Sequence, residues 1–289
     1  MNKIINVIIA LFSFLIAFGI AYSTGLSSVV MAVCLAYLIQ WLLFIPAYVF
    51  QTEKFYDLSG GLTYITVVIF SLAVTSDSVI NIANLIIAIF IIIWAIRLSS
   101  FLFLRISKDG EDKRFRSIKP NLTQFFMTWT LQGMWVSLCS MCALTAINTG
   151  RLEVMNIFFI LGACIFIIGL YIEIKADNQK SRFRSIPENR DRFITDGLWS
   201  KSRHPNYFGD AAVWWGYGLF SVASGSYWPM IGPLLMTGLI IQVSGVRLLE
   251  RTLVDAKPEY RDYVERTSAF IPWPPKASSS SRTTSQQES

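Results

Sequence analysis

The chain predicts an all-α, polytopic membrane helix bundle of about seven or eight transmembrane helices, and three observations carry that expectation. Hydrophobic residues make up 53% of the 289 positions against 15% charged. Charges are missing from several stretches long enough to cross a hydrocarbon core of roughly 30 Å. The positive charges that remain fall in blocks between those stretches.

Uncharged runs at 4–22, 29–50, 58–76, 78–96, 121–150 and 154–172 each hold one spanning helix. The first has the length of a span and lacks the small-residue cleavage pattern of a signal peptide, so it counts as a helix. The last uncharged run, 211–246, has 36 residues, about 54 Å of helix, which is too long for one crossing. Gly225, Ser226, Pro229, Gly232 and Pro233 break it near the middle, into two short spans or one span and a re-entrant piece. No internal repeat is evident, and residues 1–276 form a single membrane-embedded domain. From 277 to 289 the sequence is polar, without apolar periodicity, and predicts a disordered tail.

Of the 25 Lys and Arg residues, 22 lie in 97–119, 173–210 and the tail from Arg247. With an even number of spans, all three blocks face one side, which the positive-inside rule makes the cytosol. The expectation is a multi-pass integral membrane protein with both termini cytosolic, in the endoplasmic reticulum if the cell is eukaryotic. The formal charge of +6 then follows from topology and anionic headgroups, and no nucleic-acid partner is implied. Cys34, Cys139, Cys142 and Cys164 lie within apolar runs and read as small core hydrophobes. There is no G-x-G-x-x-G, Walker A, H-E-x-x-H or paired C-x-x-C segment, which argues against a Rossmann domain and a metal enzyme.

Chemistry must then come from loops and helix ends. Glu173, Asp177, Lys180 and Arg184 follow spacings of four, three and four, which place them on one helical side. Glu173 directly follows an apolar run, where a carboxylate needs a partner. Lys180, Arg182 and Arg184 suit either a salt-bridged helix exit or phosphate oxygens. Downstream, Ser202-Arg203-His204-Pro205-Asn206-Tyr207-Phe208-Gly209-Asp210 leads straight into apolar sequence. Pro205 suits a first helical turn, so a helix begins here with its N–H groups beside Lys201 and Arg203, an arrangement that favours an anion. His204 is the only histidine. A lone histidine is more often structural than catalytic, yet desolvating so many neighbouring polar groups calls for a ligand or a buried network. A third group comprises Arg247, Glu250 and Arg251 with Tyr260 and Tyr263, whose ordinary role is interfacial snorkelling. Glu53, Tyr56 and Asp57 after the second span are a fourth group, and Arg97, flanked by apolar residues, is a candidate to pair with Asp57.

The stretches Tyr56-Asp57-Leu58-Ser59-Gly60-Gly61, Trp94-Ala95-Ile96-Arg97-Leu98, Glu173-Ile174-Lys175-Ala176-Asp177 and Gly197-Leu198-Trp199 through Asp210 resemble the DUF1295 family of membrane proteins, placed with the C-terminal domain of steroid 5-alpha-reductases and sterol reductases. The resemblance runs to about Trp273. It implies an enzyme that binds NADPH from the cytosol and reduces a carbon–carbon double bond in a steroid-like, sterol-like or other enone lipid. By this resemblance Asp177 and Arg184 hold the nucleotide, Asn206 and Asp210 surround its nicotinamide half, and Arg247 and Arg251 meet the adenosine phosphates. Glu173 departs from the asparagine common in steroid reductases. The family grips its ketone with residues of a variable N-terminal half, for which Glu53, Tyr56 and Asp57 are the candidates here, with Tyr207 as a phenolic donor. A rival is an S-adenosylmethionine-dependent methyltransferase of the isoprenylcysteine or phospholipid type, which also has an Arg-His-Pro-x-Tyr-x-Gly segment and would use Glu250, Tyr260 and Tyr263. A non-enzymatic membrane protein is the third possibility.

Overall fold

The computed structural model describes residues 3–75, 81–189, 191–244, 246, 250 and 259–276. Helices account for the fold, with no strand among these residues. They are α1 (Lys3–Ser23), α2 (Ser27–Val49), α3 (Tyr56–Val74), α4 (Ile82–Asp109), α5 (Leu122–Asn148), α6 (Ile157–Ser185), α7 (Pro205–Ala223), α8 (Ile231–Leu239) and α9 (Tyr260–Arg266). The first six are long and apolar enough to cross a membrane, and the chain is an integral membrane protein. The shorter apolar segment Trp228–Gln242 would extend only about 22 Å as a helix, less than a full crossing. The described residues thus contain six full-length spans, the 19-residue α7 and this short segment, so the long uncharged run is split as its glycines and prolines predict.

Two helices run further than their uncharged stretches. Both α4 and α6 continue as regular helix 13 residues past the last uncharged position, carrying Arg97 and Arg105 on α4 and Glu173 to Arg184 on α6. Charge ends an apolar run without ending a helix, since Lys, Arg and Glu are good helix formers. The long uncharged run breaks where its glycines and prolines fall. Helix α7 stops at Ala223, Gly225 turns with a φ of +84°, and a 3₁₀ turn at Trp228–Met230 leads into α8, which ends in the π-helical turn Ile240–Ser244.

The chain divides into two compact units. The first comprises residues 1–163 and 216–233, the second 164–215 and 234–289. In the first, α5 is the centre: 78% of its apolar window is buried, against 28–44% in the other five spans. Lipid gives apolar surfaces no incentive to associate, so small residues and interhelical hydrogen bonds hold such a bundle together. Here Asn6 Nδ2 donates to Thr123 Oγ1 at 3.1 Å, Tyr37 Oη to Ser13 O at 2.9 Å, Gln40 Nε2 to Thr63 Oγ1 at 2.8 Å, and Gln132 Nε2 to Tyr56 O at 2.9 Å. A Cβ on Gly60 would lie 2.7 Å from that Gln132 amide nitrogen, so the glycine admits the side chain that ties α5 to α3.

The second unit is built on a close crossing of α6 and α7. A Cβ on Gly209 would come 2.6 Å from Glu173 N and 2.7 Å from Gly169 O, and one on Gly169 would come 2.8 Å from Gly209 O. Both obstacles are backbone and cannot swing aside. Gly209→Ala and Gly169→Ala are each expected to destabilise the protein by about 1–3 kcal/mol through overpacking. Gly238→Ala, where nothing lies within 4 Å, should be neutral or stabilising. Thermal unfolding of the three variants in detergent checks this; equal behaviour would show that α6 and α7 do not cross on these glycines.

Candidate functional site

The α6–α7 crossing sets the depth of the acidic groups on α6. Glu173, one turn beyond Gly169, is 1% exposed against the start of α7, and Asp177 a turn later is buried at 6%. Asn206, in the first turn of α7, donates from Nδ2 to Asp177 Oδ1 at 3.2 Å. Lys180 is half-buried with its Nζ 4.7 Å from the centre of the Trp199 ring, a cation–π contact. Arg182 and Arg184 in the last turn are exposed. These five charged positions therefore form a gradient, with buried acids at one end and solvated cations at the other.

The turn before α7 is held to α6 by one backbone carbonyl and one side chain of that helix. Trp199 Nε1 donates to Ala176 O at 3.1 Å, and Leu198 N donates to Gln179 Oε1 at 3.0 Å. Gly197 has a φ of +62° and faces the Gln179 amide at a distance no Cβ would fit. Both Trp199 and Gln179 escape a search for charged motifs, because their roles lie in backbone hydrogen bonds.

Arg203 is buried at 8% and meets Glu250 through two parallel hydrogen bonds, Nε to Oε1 at 2.7 Å and Nη2 to Oε2 at 3.1 Å. Its Nη1 donates to Val264 O at 2.8 Å and to Thr267 O. Four of its five N–H donors are thus spent inside the protein. Expected to face an anion beside Lys201, Arg203 is instead an internal pin, while Lys201 remains exposed. His204 is the N-cap residue of α7: its carbonyl accepts from Phe208 N at 3.1 Å, and its own N–H donates to Ser202 Oγ at 3.1 Å. Its Nε2 lies 3.2 Å from Glu250 Oε1, and its ring stacks on Tyr207 with centroids 5.6 Å apart and planes 4° from parallel.

The C-terminal segment straps this entry. Arg203 N donates to Ser268 O at 2.9 Å, Ser202 Oγ to Phe270 O at 2.7 Å and Trp273 N to Lys201 O at 2.9 Å; Tyr263 Oη donates to Trp199 O. Tyr260 and Tyr263 are buried against Phe193, with ring centroids 5.0 and 5.6 Å away. Burial pushes the Tyr260 phenol up to about 12 and raises that of Tyr263 further. Both tyrosines act as structural cement.

Asp210 is half-buried in α7 one residue past Gly209. Arg247 and Arg251 lie outside the described residues. In the first unit Glu53 is 2% exposed and accepts from Asp112 N at 3.0 Å and from Lys119 Nζ. Tyr56 Oη donates to Thr128 O at 3.0 Å, and Asp57 is half-buried within reach of the charges of Arg105 and Arg114. The Arg97 guanidinium lies 5.3 Å from the centre of the Phe101 ring.

The profile of the DUF1295 family, described as a protein of unknown function, matches residues 43–267, and the chain belongs to that family. No curated protein and no solved structure matches it.

The Arg203–Glu250–His204 cluster predicts two outcomes. Glu250→Ala leaves a buried guanidinium without its counter-charge and should cost about 2–4 kcal/mol; Arg203→Lys, which cannot reproduce the fork, should also destabilise. In both, limited proteolysis should cut within 259–276 faster than in the wild type. Unchanged cleavage would show that the pin does not hold the strap.

Acid should act on the same cluster. Burial holds the His204 imidazole below its usual 6.5, outweighing the opposing influence of Glu250. Burial alone would raise the Glu250 carboxyl, but its hydrogen bonds from His204 and Arg203 bring it below the usual 4.5. Both groups take up protons less readily folded than unfolded, so each contributes stability that is full above its unfolded pKa and lost as pH falls toward its folded one. The melting temperature should be level down to about pH 6.5, decline below it, and decline again below about pH 4.5. His204→Gln should remove the first decline, and its persistence in that variant would assign it elsewhere.

Proposed function

We propose that this protein is an NADPH-dependent membrane reductase acting on a carbon–carbon double bond of a lipid enone, of the steroid or sterol type, with its nucleotide face in the cytosol. The observation that carries the proposal is the gradient on α6. Buried Glu173 and Asp177, the latter joined to Asn206, suit the hydroxyl and carboxamide donors of a nucleoside end. Lys180, Arg182 and Arg184 suit phosphates, which a dinucleotide carries and S-adenosylmethionine lacks. Two of the three groups a methyltransferase would draw on are committed internally: Glu250 to Arg203 and His204, Tyr263 to Trp199 O. The donor set therefore fits a dinucleotide better than a sulfonium.

When bound, NADPH supplies a hydride, and the protein's own residues orient, exclude water and deliver a proton. Asp177 and Asn206 fix the polar edge of the nucleotide, and the cations of α6 neutralise its phosphates. Glu53 and Tyr56 engage Asp112, Lys119 and Thr128. Tyr207, on the first turn of α7, is the proposed phenol to polarise the substrate carbonyl, stabilising enolate charge as the β carbon accepts hydride and the α carbon a proton.

Purified protein in detergent should be stabilised thermally by NADPH and not by S-adenosylmethionine. Lys180→Ala and Arg184→Ala should each weaken NADPH by about tenfold, the cost of losing a charge-assisted contact. Stabilisation by S-adenosylmethionine alone would replace the proposal with the methyltransferase. Lipid profiles of cells lacking the protein should show an accumulated unsaturated ketone or sterol.

A further inference from the structure

We propose that the extended strip at 270–276 is a docking surface for an anionic lipid bilayer. Ile271 and Trp273 enter the headgroup layer, and Lys201, Arg266 and Lys276 hold the headgroups of anionic phospholipids. This surface is independent of what the site at α6 and α7 binds.

Hydrogen bonds to the backbone hold the strip in place. Ser202 Oγ donates to Phe270 O at 2.7 Å, Trp273 N to Lys201 O at 2.9 Å and Lys276 N to Arg266 O at 3.0 Å. Alternate side chains of an extended strip point to opposite faces. Phe270 turns inward onto Phe208, with ring centroids 5.8 Å apart, whereas Ile271 is 60% and Trp273 69% exposed. Pro272, Pro274 and Pro275 fix φ along the strip, which keeps it from folding back over those two side chains. The prolines also lack N–H groups, and Trp273 and Lys276 spend theirs inside the protein. A strand from another chain therefore finds no continuous ladder to join.

The depth of the strip follows from the α6–α7 crossing. The uncharged runs end at Ile172 on α6 and resume at Ala211 on α7, and the backbone of Glu173 lies against Gly209. Both helices thus leave apolar sequence at one level. From Ala211 back to Pro205, α7 rises at most about 9 Å along the membrane normal. The strip's contacts with residues 201–203 therefore fall near the headgroup layer, which adds roughly 5–8 Å to each side of the hydrocarbon core. Tryptophan is enriched at that level. Lys201, Arg266 and Lys276 are all exposed where the strip is tied down. The acids of α9, Asp262 and Glu265, precede the strip and leave residues 266–276 with positive charge only. Apolar side chains flanked by cations at headgroup depth complement an anionic lipid surface. The same strip is bound to Lys201 and Ser202 beside the Arg203–Glu250 pair, so lipid contact steadies the entry of α7.

The full-length protein in lipid nanodiscs tests this. The tryptophan fluorescence that Trp273→Phe removes from the wild type is the share of Trp273. Phosphatidylcholine brominated near the top of its acyl chains should quench that share, and acrylamide in the water should quench it weakly. Replacing about a third of the phosphatidylcholine with phosphatidylserine should slow proteolysis within 259–276 by about fivefold for each cation engaged. Soluble glycerophosphoserine should give no such protection. Arg266→Gln/Lys276→Gln should keep the wild-type melting temperature in phosphatidylcholine and lose the effect of phosphatidylserine. Lys276→Gln alone, which keeps the backbone bond to Arg266, should lose part of it. Quenching of Trp273 by acrylamide and not by brominated lipid overturns the proposal, as does equal cleavage in the two lipids. Protection by glycerophosphoserine equal to that by lipid would make this a site for a soluble phosphate and overturn it too. Shielding of Trp273 from both quenchers, with cross-linking between two copies, would give the surface to a second copy and likewise overturn it.

Discussion

The paired hydrogen bonds between Arg203 and Glu250 are the constraint on which the second unit depends. A polar run leads directly into an apolar helix, and each charge it carries would cost several kcal/mol to remove from water without a partner. Arg203 resolves this by spending its guanidinium on a carboxylate 47 residues away and on two carbonyls of the C-terminal segment. One side chain thereby fixes the entry of α7, the position of Glu250 and the course of the strap. His204 and Tyr207 inherit their orientation from that arrangement, so the site's electrostatics follow from a structural pair rather than from a ligand.

The second constraint is steric. Gly169 and Gly209 let the backbones of α6 and α7 approach until a single methyl would collide with main-chain atoms. That closeness puts Glu173 and Asp177 beside the first turns of α7, where Asn206 can reach Asp177. A carboxylate at this depth needs partners close by, and a wider crossing would leave it further from them. Glycine packing and acid burial are thus one feature of the chain, and replacing either would strain the other.

Much of the fold was legible in the sequence because hydrophobic length and charge placement are one-dimensional. The six long spans, the start of α7 at Pro205 and the break around Gly225 to Pro233 all follow from local composition. The continuation of α4 and α6 through charged residues was not visible, because loss of hydrophobicity and loss of helix are separate events. At the site, the single-sided face of α6 followed from its spacing. The partner of Arg203 did not, since nothing local distinguishes a guanidinium that meets a phosphate from one that meets Glu250. Trp199 and Gln179 were silent for a similar reason: each serves a backbone group, and only the three-dimensional path of the chain shows which. The anticipated roles of Arg247 and Arg251 concern residues beyond those described.

The motif from Ser202 to Asp210 is shared by the two chemistries considered, so the motif itself does not choose between them. What discriminates is subtraction. Glu250, Tyr263 and Arg203 are largely consumed by internal hydrogen bonds, which removes the acid and one of the two phenols a sulfonium ligand would want and one cation a phosphate would want. Among the described residues, half-buried Asn206 and the exposed cations Arg182, Arg184 and Lys201 remain at this end. An amide with an acceptor beside it, followed along α6 by positive charge, complements a ligand with a neutral hydrogen-bonding head and an anionic body. That complementarity is the ground on which the reductase proposal prefers a dinucleotide to a cationic methyl donor at this end of α6 and α7.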